Sequence, residues 1–158
     1  MSHLLPSLPK ALLAPALLLA AFAMTAPETA DAGYRQYYSS WSYHPTHSYH
    51  YRTYYYRPAP RVTTYSTHYV VYRPSTPRYV YYYNPVRRVY WGRYDTEQNG
   101  YSLLAEKDRK EHLKDIPESA FPEPGEMPTL DDTEDGLKLQ APPSDKPEDP
   151  APTLPDGQ

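Results

Sequence analysis

The stretch Arg78-Tyr79-Val80-Tyr81-Tyr82-Tyr83-Asn84-Pro85-Val86-Arg87-Arg88-Val89-Tyr90-Trp91-Gly92-Arg93-Tyr94 carries the clearest punctuation in the chain. Residues 78–83 are rich in tyrosine and valine and favour a strand, Asn84-Pro85 supplies a turn, and residues 86–94 read as a second strand. A polar turn ending in Asn99-Gly100 leads into residues 101–104, completing a three-strand β-meander in outline. Ser102 is placed to cap a helix over residues 103–115, where Glu106 and Lys110, and Lys107 and Glu111, stand four apart and Pro117 ends the run. A unit of about 40 residues without metal or disulfide sits at the lower size limit for independent folding.

Outward from this unit the composition becomes extreme. All 19 tyrosines fall within residues 34–101, and no lysine or acid occurs between Ala32 and Tyr94. Nine arginines lie in the same block, and its aliphatic side chains beyond alanine are valines alone. Without leucine, isoleucine, methionine or phenylalanine, such a block is expected to be adhesive without forming a core, because each buried tyrosine brings a hydroxyl that needs a partner. Residues 33–77 therefore read as a cationic Tyr/Arg/Pro low-complexity segment, extended pieces interrupted by proline whose edges invite pairing between chains.

The two ends differ from this block and from each other. Residues 1–32 read as a signal peptide: the apolar run over residues 11–24 is shorter than the roughly 20 residues a membrane span needs, and Ala30-Asp31-Ala32 places a cut before Gly33. The expectation is an exported protein with no transmembrane anchor after signal cleavage. Residues 117–158 form an acidic proline-rich tail, and from Glu118 onward 11 acids and nine prolines accompany two lysines. That composition predicts disorder with stretches of polyproline II. The fold class expected for the whole is mostly disordered: an N-terminal signal helix and at most a small β-meander plus one short helix in residues 79–116.

Few constellations survive scrutiny. With no cysteine, disulfides, thiolate metal sites and thiol nucleophiles are excluded. His44, His47 and His50 recur every third residue but would be spaced along an extended segment rather than converge on a metal. Residues 131–136, Asp-Asp-Thr-Glu-Asp-Gly, begin like a calcium loop, yet the twelfth position is Pro142 where a bidentate glutamate is required. Neither a nucleophile elbow, nor a phosphate loop, nor a paired His-Glu metal motif is present, so no enzyme, cofactor or metal is expected. Arginine interleaved with tyrosine suits single-stranded nucleic acid, but export and the attached acidic block argue against that partner.

Tyr90-Trp91-Gly92-Arg93-Tyr94, Glu106-Lys107-Asp108-Arg109-Lys110 and residues 115–128, Asp-Ile-Pro-Glu-Ser-Ala-Phe-Pro-Glu-Pro-Gly-Glu-Met-Pro, together resemble a block of uncharacterised exported bacterial proteins rich in tyrosine and proline. The resemblance implies a shared unit over residues 79–128 and no activity. Residues 78–85 are also similar to the aromatic middle strand and turn of WW modules, which bind proline-rich ligands, although no opening tryptophan stands at the matching distance upstream.

The leading functional expectation is an exported, non-catalytic envelope or extracellular-matrix protein. Its cationic Tyr/Arg block would associate with anionic cell-wall or capsule polymer, or with itself. The alternative is a small aromatic binding module, residues 79–116, for a proline-rich or glycan ligand, with Tyr81, Tyr83, Tyr90 and Trp91 as its binding residues. Strand alternation places Tyr81 and Tyr83 on one face.

Overall fold

A computed structural model describes residues 35–148; the expected signal peptide and the last ten residues lie outside them. The described chain is a well-ordered, curled antiparallel half-barrel, which corrects the expectation of a mostly disordered protein. Its strands are β1 (Gln36–Tyr38), β2 (Ser42–His44), β3 (Tyr49–Tyr56), β4 (Ser66–Tyr72), β5 (Tyr79–Asn84), β6 (Val89–Asp95) and β7 (Gly100–Leu103). The spatial order is β1-β3-β4-β5-β6-β7, with β2 following β1 along the same edge of β3. The meander read around residues 78–104 is present as β5, β6 and β7, and it continues backwards through the supposed low-complexity segment.

Local chemistry sets the hairpins. Asn84 Oδ1 accepts the N–H groups of Val86 and Arg87 at 2.9 and 3.0 Å, and Asp95 Oδ1 accepts those of Glu97 and Gln98 at the same distances. Each loop closes through a left-handed residue, Arg88 at φ 56° and Asn99 at φ 53°. The β2–β3 loop uses Ser48 at φ 50° in the equivalent place.

The core answers why tyrosine suffices here. On the inner face, Tyr54, Tyr56, Val70, Val80, Tyr82, Trp91, Tyr94 and Tyr101 are buried together with Leu130 and Leu139 from the acidic segment. The tail thus supplies leucines to an inner face whose own core residues are tyrosine, valine and tryptophan. It also supplies hydrogen-bond partners: Tyr56 Oη donates to Asp132 at 2.6 Å, and Tyr38 Oη meets the Gln140 carbonyl at 2.5 Å and Tyr82 Oη at 2.8 Å. Residues 128–139 fold back on themselves through Leu130 N–H to Leu137 O at 2.9 Å and Leu139 N–H to Pro128 O at 2.8 Å. The rejected calcium loop is the tip of this turn.

Charge segregation along the chain becomes charge pairing in space. Among the described residues, six of the nine block arginines form ion pairs with acids at or beyond Asp95: Arg35–Asp135, Arg52–Asp145, Arg61–Glu134, Arg78–Asp95, Arg88–Glu111 and Arg93–Glu118. The acidic, proline-rich segment is therefore folded onto the sheet over residues 117–148, where disorder was expected, and residues 149–158 of that expected tail lie outside the described residues.

The helix expected over residues 103–115 is replaced by single 3₁₀ turns at Glu106–Asp108 and Leu113–Asp115, and a third turn, Glu118–Ala120, follows Pro117. Leu103, Leu104, Leu113 and Ile116 leave a gap in the middle, so a helix would have had no continuous apolar stripe to bury. The segment instead crosses the outer face, where the Lys110 carbonyl accepts the Tyr90 N–H at 2.8 Å and Ile116 is buried. The outer edge of β7 is covered too: Tyr101 and Gly125 exchange both backbone hydrogen bonds at 2.9 Å. That closes one route to strand addition by another chain.

Candidate functional site

The outer face of the sheet is tyrosine again, but here much of it is uncovered. Register places Tyr51 opposite Val71, Tyr69 opposite Tyr83 and Tyr83 opposite Tyr90, all on this face. Segment 104–121 covers the part near Tyr79, Tyr81 and Arg93. There the Arg93 guanidinium lies between the Tyr79 ring at 3.8 Å and the Phe121 ring at 4.1 Å and pairs with Glu118 at 2.6 and 2.9 Å. Beyond that cover lies an open cleft of about 410 Å³, lined by Tyr49, Tyr51, Tyr69, Val71, Tyr83 and Tyr90, with His44 on one wall and Glu111 and His112 on the other.

The rings are set edge to face. Tyr51 and Tyr69 stand 6.2 Å apart, Tyr49 and Tyr51 6.3 Å, and Tyr83 and Tyr90 5.0 Å, so each ring face points into a space the next edge borders. Burial raises the phenol pKa of Tyr49 and of Tyr90 above the ordinary value. Both hydroxyls therefore stay protonated near neutrality and both donate and accept. Glu111, the one carboxylate in the lining, is ion-paired to Arg88, which ties this wall to the β5–β6 turn.

The four residues singled out in the sequence divide between two faces. Tyr83 and Tyr90 line the outer cleft. Tyr81 shares their face, as alternation required, but is buried, with its ring 6.2 Å from that of Phe121. Trp91 is on the inner face, because a bulge between Tyr82 and Tyr83 leaves it without an opposite partner, with Gly92 facing Tyr82 and Tyr90 facing Tyr83. It belongs to the aromatic core, 5.4 Å from Tyr82 and 5.3 Å from Tyr101.

Tyr49, Tyr51 and Tyr69 were missed, since they lie on β3 and β4. The available signal was the period-two burial of β3, in which His50, Arg52, Tyr54 and Tyr56 are buried and the residues between them are not. Tyrosine on both faces concealed it. His44 and His47 are neighbours, their rings 4.8 Å apart, while His50 is buried on the other side of the sheet against Tyr43 and Tyr72. No group of three metal-ligating side chains occurs among the described residues.

A second cavity, of about 450 Å³, opens between the ends of β4 and β6 and the acidic turn, lined among others by Tyr56, His68, Trp91, Arg87, Arg109 and Asp132. His68 and Trp91 each present a buried ring nitrogen without a hydrogen-bond partner in this lining, Nδ1 and Nε1. Burial pushes the His68 pKa down from 6.5 to about 4, with the Arg87 charge adding to that direction and Asp132 opposing it.

No family model, curated protein or solved structure matches this chain. Among the described residues no helix is long and apolar enough to cross a membrane.

Proposed function

We propose that the chain is a non-catalytic binding module of the cell envelope whose outer cleft takes a glycan. The observation that carries this is the row of Tyr51, Tyr69, Tyr83 and Tyr90 on an open sheet face, with Tyr69 39% exposed. Ring faces bury the apolar face of a sugar, while phenol hydroxyls, His44 and His112 satisfy its hydroxyls from the margins. Hydrolysis of a glycosidic bond ordinarily uses two carboxyl groups flanking it. Among the described residues this cleft is lined by one, already held by an arginine, which favours binding over turnover.

The arginine-rich block invited anionic polymer as its target. With six of the nine arginines paired to acids among the described residues, the cationic surface is largely neutralised, and the neutral face of tyrosine becomes the stronger basis for recognition. The module also spans the whole sheet rather than residues 79–116 alone, because β3 and β4 provide half of the cleft.

Titration of the chain with neutral oligosaccharides and, in parallel, with an anionic polysaccharide, followed by amide NMR, tests the proposal. Tyr69→Ala and Tyr83→Ala are each expected to weaken neutral-glycan binding about tenfold, roughly 1.4 kcal/mol, whereas Tyr65→Ala, on a separate exposed patch with Tyr37 and Tyr55, leaves it unchanged. Binding that survives both cleft substitutions, or that occurs with the anionic polymer alone and weakens with salt, would overturn the assignment.

A further inference from the structure

On the opposite face of the sheet, the segment Pro142-Pro143-Ser144-Asp145-Lys146-Pro147 lies in a groove that has the parts of a peptide-recognition site. Trp41, at the break between β1 and β2, donates its Nε1–H to the Asp145 carbonyl at 3.1 Å. The Arg52 guanidinium grips the Asp145 carboxylate with two nitrogens, at 3.1 and 2.5 Å, and stacks on the Trp41 ring at 4.0 Å. Tyr72 stands edge-on to Trp41 at 6.0 Å, and with the three prolines these two rings line a cleft of about 210 Å³. Arg52 is 2% exposed, and Asp145 is its acidic partner.

We propose that this groove is a binding site for proline-rich acidic peptide segments, and that residues 142–147 are its ligand in cis. Three features distinguish it from ordinary tail packing. An indole N–H directed at a ligand carbonyl beside an aromatic wall is how proline-rich segments are read, since proline offers carbonyls and no N–H in return. A bidentate arginine fixes the position of the one carboxylate in the segment. The segment makes its polar contacts through Asp145, whereas the preceding residues are anchored separately by Gln140 N–H to Gln36 Oε1 at 3.0 Å and by buried Leu139. Residues beyond Gln140 can therefore leave without dismantling the turn that completes the core. Tethering gives the cis segment a high effective concentration, so a peptide in trans competes on unequal terms until the cis contact is weakened.

The experiment uses the full chain carrying Asp145→Ala and a synthetic peptide with the sequence of residues 140–148. The Trp41 indole N–H is followed by NMR and assigned with Trp41→Phe, and the Trp91 indole reports on the core. Asp145→Ala is expected to shift the Trp41 signal, and added peptide to return it saturably towards its original position. The same peptide with alanine for the aspartate is expected to fail, and the unaltered chain to need at least about tenfold more peptide. A Pro142→Ala/Pro143→Ala chain, which leaves Asp145 in place, serves as the second released form. A Trp41 signal that peptide leaves unmoved in both variants while Trp91 keeps its position would overturn the proposal, as would equal titration of altered and unaltered chains.

Discussion

Gly92→Ala is expected to destabilise the fold by about 3 kcal/mol, a loss of roughly 10 °C or more in Tm for a domain of this size. A Cβ on Gly92 would stand 2.3 Å from Tyr101 Oη, 2.4 Å from its Cε1 and 2.6 Å from its Cζ. The ring of Tyr101 crosses the space that the missing side chain leaves on β6. It cannot swing away, because it is buried against Tyr82 and Trp91, each with its ring centre 5.3 Å distant. Denaturant unfolding of four chains checks this. In a Tyr101→Leu background the Gly92→Ala cost should shrink to about a third, which is the coupling expected of two groups competing for one volume. Tyr101→Phe alone should be neutral or stabilise by about 1 kcal/mol, since the hydroxyl is buried with no hydrogen-bond partner. A Gly92→Ala chain within 0.5 kcal/mol of the parent would mean that the Tyr101 ring is free to move.

What the sequence disclosed and what it concealed follow from the same residue. The hairpins at Asn84 and Asp95 were legible because Asx turns leave a local signature, and the β5–β6–β7 meander came with them. The strands β3 and β4 were not, since a pattern of apolar against polar residues cannot be read when tyrosine occupies both faces, as in Tyr54-Tyr55-Tyr56, where the outer two are buried and the middle one is not. The tail was misjudged for a related reason. Leu130, Leu137 and Leu139 are too few to form a core of their own, and Asp132, Asp135 and Asp145 look like solvated charge. Their partners lie 76 to 100 residues away, in Tyr56, Arg35 and Arg52. Two segments that each resemble disorder by composition are complementary halves of one core, and composition taken segment by segment cannot reveal that. The cleft was half legible. Tyr83 and Tyr90 came from a readable hairpin, while Trp91 was displaced by a bulge that no residue type announces.

Stability is expected to fall by about 3 kcal/mol as pH is lowered from 6.5 to 4, a fall that begins ahead of any carboxylate effect. The group responsible is His68, whose imidazole is buried between the Tyr56 ring at 5.3 Å and the Trp91 ring at 5.2 Å. Its folded pKa is depressed to about 4 from 6.5. Above 6.5 both folded and unfolded chains hold it neutral, so the group adds no pH dependence. Between 6.5 and about 4 the unfolded chain takes up a proton that the folded chain refuses, and the equilibrium shifts towards unfolding with every unit of acidification. Below 4 both states are protonated and this slope ends. The acids then take over in the same direction: Arg93 holds Glu118 below its usual range, and Asp95 is held low by Arg78 and two backbone N–H donors that together outweigh its burial. Their contribution is present above the unfolded carboxylate values and is lost as pH falls through the lowered ones. His68→Phe separates the two regimes. It keeps a ring in the core, removes the proton uptake, and should leave stability flat from pH 6.5 to about 5 while preserving the later acid loss. Chemical denaturation at half-unit intervals reads the slope directly, and a parent chain equally stable at pH 7 and pH 4.5 would mean that the second cavity admits a proton to His68 without opening the fold. Because His68 Nδ1 and Trp91 Nε1 share that cavity's lining, a ligand that donates to Nδ1 and accepts from the indole N–H holds the folded imidazole neutral, and should carry the same slope below pH 4.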